Sequence, residues 1–185
     1  QTWNPVIINF KHIWQLIKDA WHAERIFDKL RIWFMPTGWR PSDVKEKYPV
    51  QMITDPKNRI KYNTENSPML IAWSGGQLLI TIILMFHMFM IIPIFSATMY
   101  YLYAVILIIN IFSFTSTLDH RNYALVAESL KLILGFSLLH FQNYNWYGLN
   151  GFYVYTLIFF FIMSFLSTIY FQYETKISST RPDLV

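Results

Sequence analysis

Four stretches in the second half of the chain are apolar over lengths close to the about 20 residues that carry a helix across a bilayer. Residues 77–95 and 97–114 contain no charged side chain, and Pro93 and Ser96 interrupt the run, which predicts a tight helical hairpin. Residues 149–171 are also uncharged and include the run Phe159-Phe160-Phe161. Residues 124–141 are apolar apart from Glu128 and Lys131. The Leu, Ile, Val and Phe residues of this last segment favour insertion by about 3–6 kcal/mol in total. Two charges at the bilayer centre cost about 2.5–3.5 kcal/mol each and cancel that gain. The two residues stand at i and i+3, however, so they can pair on one face, and Lys131 can reach toward the surface. The segment is expected to insert with that face turned to its neighbours.

The first 76 residues follow a different rule. From Ile7 to Phe34, apolar residues recur at 10, 13, 14, 17, 20, 21, 27, 30 and 34, which is helical spacing, and Lys, Arg and Asp take the rest of the wheel. Residues 1–35 are therefore expected to form an amphipathic helix on the membrane surface, with packing against a further protein domain as the alternative. Pro36, Gly38 and Pro41 stop this helix. Residues 42–68 are polar and carry Pro49, Pro56 and Pro68, and residues 36–76 are expected to be a cytoplasmic connector with one short helix after Ser42. Gly75-Gly76 is expected to be a hinge before the first span. Residues 172–185 form a tail. The predicted fold is an all-α, polytopic integral membrane bundle of four helices (77–95, 97–114, 124–141 and 149–171) preceded by the amphipathic interfacial helix.

Composition supports a membrane as the solvent. Of 185 residues, 54% are hydrophobic and only 14% charged, against about 25% in ordinary soluble domains. Cysteine is absent, which excludes disulfides, thiolate metal sites and a cysteine nucleophile. Residues 1–76 hold 11 of the 15 Lys/Arg and 7 of the 11 Asp/Glu, so the whole +4 excess falls there. The positive residues alternate with acids instead of clustering, so nucleic acid is not an expected partner. The loop near Ser96 and residues 142–150 carry no charge, whereas Arg121, Lys176 and Arg181 lie in the other loop and the tail. The positive-inside rule then puts both termini in the cytoplasm. Tyr100, Tyr101 and Tyr103, with Tyr144, Trp146 and Tyr147, fit an aromatic belt on the outer side. The opening Gln-Thr-Trp-Asn-Pro lacks both Met and the pattern of a signal peptide, as expected of a processed or truncated product.

Candidate chemistry is sparse. No two of His12, His22, His87, His120 and His140 are closer than ten residues, so no helical ligand pair exists for a metal or a haem. His87 falls mid-span, where an imidazole is either functional or hydrogen-bonded to a neighbouring helix. Glu128 and Lys131 are candidates for a proton or ion path, or for an ion pair that holds helices together. Asp119-His120-Arg121 reads as a helix boundary. No phosphate loop, nucleophile elbow or paired catalytic carboxylates occur.

One stretch is more specific. Residues 21–41 run Trp-His-Ala-Glu-Arg-Ile-Phe-Asp-Lys-Leu-Arg-Ile-Trp-Phe-Met-Pro-Thr-Gly-Trp-Arg-Pro, then follow Ser-Asp-Val and Lys-Tyr-Pro. With the opening Gln-Thr-Trp-Asn-Pro, this resembles the sterol desaturase and fatty acid hydroxylase superfamily, in its alkylglycerol monooxygenase-like branch. The resemblance covers residues 1–50 and is only architectural over 69–171. It implies a membrane enzyme whose two non-haem irons, held by three histidine clusters, activate dioxygen to hydroxylate a lipid C–H bond, with a pterin as reductant in this branch. Those clusters do not occur here, so no iron ligand carries over to any residue. The resemblance implies the C-terminal part of such an enzyme, with its catalytic region upstream and no cofactor of its own. Its expected partners are membrane lipid and that catalytic region, and Trp33, Trp39 and Arg40 are candidates for contact with either, or for a structural turn. The alternative is a free-standing four-span transporter subunit or scaffold, with His87, Glu128 and Lys131 as its functional groups.

Overall fold

The computed structural model describes residues 2–50 and 62–180; Gln1, Pro56 of the connector and Arg181 of the tail lie outside them. The described residues form the helices α1 (Pro5–His22), α2 (Ile26–Arg31), α3 (Ser42–Lys47), α4 (Pro68–Ile91), α5 (Ala97–Leu118), α6 (Tyr123–Phe141) and α7 (Phe152–Thr180). Among them α4, α5, α6 and residues 152–176 of α7 are long and apolar enough to cross a membrane. The protein is thus an all-α polytopic membrane bundle. It divides into two compact units, residues 7–63 and residues 1–6 with 64–185.

In the larger unit the helices pack in chain order, α4 on α5, α5 on α6 and α6 on α7, with α7 also touching α5. The first span starts nine residues earlier than its apolar run suggests. Ser67 accepts the Leu70 amide at 3.3 Å and Pro68 occupies the first turn, so the helix nucleates inside the expected connector. Two expectations change as a result. Gly75 and Gly76 are not a hinge but lie within continuous helix, and His87 stands near the end of α4 instead of mid-span. The last helix likewise continues past Phe171 into the expected tail.

The loop between α6 and α7 corrects the aromatic belt. Trp146 and Leu149 exchange both backbone hydrogen bonds, at 2.8 and 2.9 Å, across a turn in which Tyr147 and Gly148 have φ of 50° and 93°. Positive φ at both central positions is the type I′ geometry, which glycine adopts readily and tyrosine only under constraint. The constraint is burial. The turn folds Trp146 and Tyr147 inward, where they pack on Tyr103 with ring centroids 5.2 and 4.8 Å away. The Tyr147 hydroxyl donates to the Met99 carbonyl at 2.7 Å. Trp146, Tyr147 and Tyr103 are therefore core residues, while Tyr101 and Tyr144 stay exposed.

The smaller unit breaks the expected single helix over 7–34 into α1 and α2. A continuous helix would spend the Glu24 amide on the Ala20 carbonyl. Here it donates to the Asp43 carboxylate at 2.8 Å, and Arg25 is extended. Helix α3 is the short helix expected after Ser42. The inward face of α1 is polar: Asp19 is 3% exposed, whereas Trp14 and Trp21 on the apolar stripe are 58% and 82% exposed. Ala23, Ile32 and Val44 make the small apolar core.

Close packing between α6 and α7 has a testable consequence. A Cβ built on Gly135 falls 2.5 Å from Cε2 of Phe161, whose ring is itself buried. The Gly135→Ala change is expected to lower thermal stability in detergent by about 1–3 kcal/mol through overpacking. Gly75→Ala, with nothing within 4 Å of its Cβ, should instead be neutral or stabilising by up to about 1 kcal/mol from helix propensity.

Candidate functional site

The four membrane helices each send polar side chains to one buried cluster. Helix α6 supplies the charges: Glu128 and Lys131 are both fully buried, with Nζ 2.8 Å from Oε2 and 2.9 Å from Oε1. Lys131 Nζ also donates to Asn110 Oδ1 of α5 and to Ser164 Oγ of α7, both at 2.7 Å. An ammonium has three protons, and carboxylate, amide and hydroxyl take all three. Glu128 Oε1 in turn accepts from Ser113 of α5 at 2.7 Å and lies 3.0 Å from Ser164. Helix α4 closes the cluster, because Ser164 Oγ is 3.1 Å from Gln77 Oε1 and Asn110 Nδ2 donates to Thr81 Oγ1 at 2.7 Å. The ring of Phe160 covers the ammonium from 5.2 Å.

This arrangement bears out the geometric expectation that Glu128 and Lys131 pair on one face turned to neighbouring helices. Their partners Gln77, Thr81, Asn110, Ser113 and Ser164 are not singled out by sequence spacing, although the two amides are a visible signal in otherwise apolar runs. A polar side chain in a spanning helix must find a partner inside the protein. Chemically, the cluster places a carboxylate and an ammonium in contact with hydroxyl and amide groups that relay hydrogen bonds from α4 to α7.

The other polar residues sit apart from this cluster. His87 Nδ1 is 3.1 Å from the Tyr103 hydroxyl of α5, a hydrogen bond to a neighbouring helix. His140 is exposed and faces Tyr144. Asp119 is more than a helix boundary: its carboxylate accepts from the Thr2 hydroxyl and from the Trp3 amide, the latter at 2.9 Å. Asn4 is fully buried, donates to Ser116 Oγ at 2.7 Å and accepts the Val6 amide at 3.0 Å. It therefore caps α1 with Pro5 at its first position while it ties residues 2–4 to the end of α5. His120, at φ 53°, lies 3.0 Å from the Thr175 hydroxyl and 3.1 Å from the Glu65 carbonyl.

In the smaller unit, Arg40 has a structural partner. Its Nε and Nη2 each lie 2.7 Å from the Asp19 carboxylate, and Nη1 donates to the Tyr48 carbonyl at 2.9 Å. The Asp19 hydrogen bonds raise the guanidinium pKa further above its ordinary value. The turn that delivers Arg40 runs from Pro36 to Trp39, closed by a 3.0 Å hydrogen bond, with Gly38 at φ 89°. Trp39 lies 5.3 Å beneath the Arg31 guanidinium, and Trp33 is half exposed.

Among the described residues, no group of three or more His, Asp or Glu side chains is placed to hold a metal ion. The described residues therefore offer no ligand set that fits a di-iron centre. No family model, curated protein or solved structure matches the chain.

Two measurements check these sites. Lys131→Met leaves Glu128 buried and unpaired and should cost about 3–5 kcal/mol in mixed-micelle unfolding, while the double change with Glu128→Leu should recover most of it. Arg40→Ala leaves the buried Asp19 carboxylate without a cation, held only by Gln15 Nε2 at 2.8 Å, and should destabilise the smaller unit by about 3 kcal/mol. Hydrogen exchange across α1–α3 reads this loss, and Arg40→Lys, which keeps the charge but not the fork, should show less of it.

Proposed function

We propose that this chain is the C-terminal membrane region of a non-haem di-iron, O2-dependent lipid hydroxylase or desaturase of the sterol desaturase family, in the alkylglycerol monooxygenase-like branch. The observation that carries the reading is the segment 21–41. Its Ile26-to-Phe34 part is helix α2 with the turn that ends it, and Gly38 and Trp39 belong to the Pro36–Trp39 turn that seats Arg40 on Asp19. The motif is thus built into the fold of the smaller unit as a structural element. Four membrane helices support the integral placement. Positive residues Arg121 and Lys176 support cytoplasmic termini.

In this reading the irons that activate dioxygen are held by an upstream catalytic region, with a pterin as reductant, and no step of the reaction is assigned to residues of this chain. What the chain contributes is anchoring. The Lys131–Glu128 cluster binds α4–α7 into one body, and membrane lipid and the catalytic region are its partners. Trp33, half exposed, and Trp39 and Arg40, half-buried, are the candidates for contact with either.

A second reading, a free-standing transporter subunit or scaffold, draws on the same buried ion pair. Transport would require that pair to exchange partners, yet all three ammonium protons are already taken. Iron content after purification in detergent separates the readings. A form extended upstream through the whole reading frame is expected to hold about two irons per chain, and this chain none. Iron in neither form overturns the oxygenase reading. Ion flux in vesicles that hold the wild-type chain, absent from protein-free vesicles, would then establish transport.

A further inference from the structure

Among its described residues the smaller unit buries three apolar side chains, Ala23, Ile32 and Val44, and leaves thirteen large apolar or aromatic ones exposed. A surface with so much exposed apolar area marks a binding face. Helix α1 carries its most ordered part. Phe10, Ile13, Trp14, Ile17 and Trp21 are all exposed, and at about 100° per residue they fall in one stripe about 100° wide. Asp19 lies on the opposite side of the helix, where Arg40 and Gln15 hold its carboxylate. The remaining charges of α1 are Lys11 and Lys18, and both flank the Trp14 edge of the stripe. Lys18 Nζ stands 5.7 Å from the Trp14 ring. The stripe is therefore bordered by cations alone, in a segment (residues 7–50) where eight Lys/Arg stand against five Asp/Glu.

The larger unit fixes the level at which α1 begins. Helix α5 has 22 residues, so it is about 33 Å long against a hydrocarbon core of about 30 Å and its ends reach the headgroups. Residues 2–4 are tied to its last turns, the Trp3 amide to the Asp119 carboxylate at 2.9 Å and Asn4 Nδ2 to Ser116 Oγ at 2.7 Å. Pro5 follows directly and opens α1. The chain rejoins the bundle at the same end, where the Glu65 carbonyl lies 3.1 Å from His120 Nε2, shortly before α4 starts at Pro68. Both connections of the smaller unit thus leave from the membrane surface. Such a double tether gives lipid a high effective concentration at the stripe.

We propose that the α1 stripe docks on the leaflet from which α5 emerges, with Phe10, Trp14 and Trp21 among the headgroups and Lys11 and Lys18 on acidic phospholipid. Bulky aromatic residues on one face, with lysines beside them, are what an interfacial helix presents to such a surface. The docking rests on the membrane helices alone and stands whether or not the chain belongs to an oxygenase.

The chain has no cysteine, so a single nitroxide can be attached at a chosen position of the full chain reconstituted in nanodiscs. Ile17→Cys places it in the stripe, and His12→Cys, exposed on the opposite side of α1, serves as the aqueous reference. In discs containing about one-third phosphatidylserine, the ratio of O2 to nickel-chelate accessibility should be several-fold higher for the stripe label, at a depth of about 5–10 Å. Discs of phosphatidylcholine alone, or Lys11→Glu with Lys18→Glu, should lower the docking constant at least about fivefold, the contribution of one lysine near acidic lipid. The comparison is repeated with Trp21→Ser, which weakens the apolar part so that a saturated equilibrium cannot hide the contrast. Circular dichroism establishes that the variants keep their helices. A stripe label as accessible to the chelate as the His12 label in acidic discs would overturn the proposal, and its burial on extending the chain upstream would then assign the stripe to a protein domain. Equal docking on both lipid compositions with Trp21→Ser in place would overturn the acidic-lipid assignment.

Discussion

An ammonium ion inside a bilayer has to be surrounded, and the way Lys131 is surrounded determines how the membrane helices are arranged. Its acceptors come from three helices and the fourth is bound at one remove, through Ser164 to Gln77 and through Asn110 to Thr81. Apolar packing alone discriminates weakly between helix registers in lipid, because the surrounding chains are as apolar as the helices. A rotation of any one helix would strip a partner from a buried charge, which costs far more than a lost van der Waals contact. The cluster therefore selects one register among many that would pack almost as well.

Around that fixed level the rest of the larger unit is ordinary close packing. Gly135 lets α7 approach α6 against Phe161, and the turn at Trp146–Leu149 drops two aromatic rings into the space between the helix ends. At the opposite end the chain's own beginning serves the same purpose, with Asp119 and Ser116 holding residues 2–4. Both ends of the bundle are finished by non-helical segments that hydrogen-bond back to the protein, through the Trp3 amide at one end and the Trp146–Leu149 pair at the other.

The four spans were legible because hydropathy over about 20 residues is a strong signal, and the Glu128–Lys131 pair was legible from its spacing. Helix starts were less so: Ser67 and Pro68 began α4 well before its apolar run, since a cap and a fixed φ outweigh local polarity. The buried loop aromatics were misjudged for a different reason. Trp146 and Tyr147 have the composition of an interfacial belt, and only the type I′ turn, a property of φ at two residues, sends them inward. The partners of Lys131 depend on which helix faces come together, which periodicity within one helix does not encode. The break at Glu24 depends on Asp43, nineteen residues away, and is equally invisible to a window that slides along the chain.

The inward polar face of α1 has an effect on how this protein can change. In most amphipathic helices the apolar stripe both holds the fold and decides the surroundings, so neither can vary alone. Here Asp19 and Arg40 hold the smaller unit from the polar side, while Phe10, Trp14 and Trp21 are left outside. Folding and environment are thereby uncoupled. Relatives of this chain should drift freely among bulky apolar residues along that outer stripe, yet keep the carboxylate, the guanidinium and the glycine turn that brings them together.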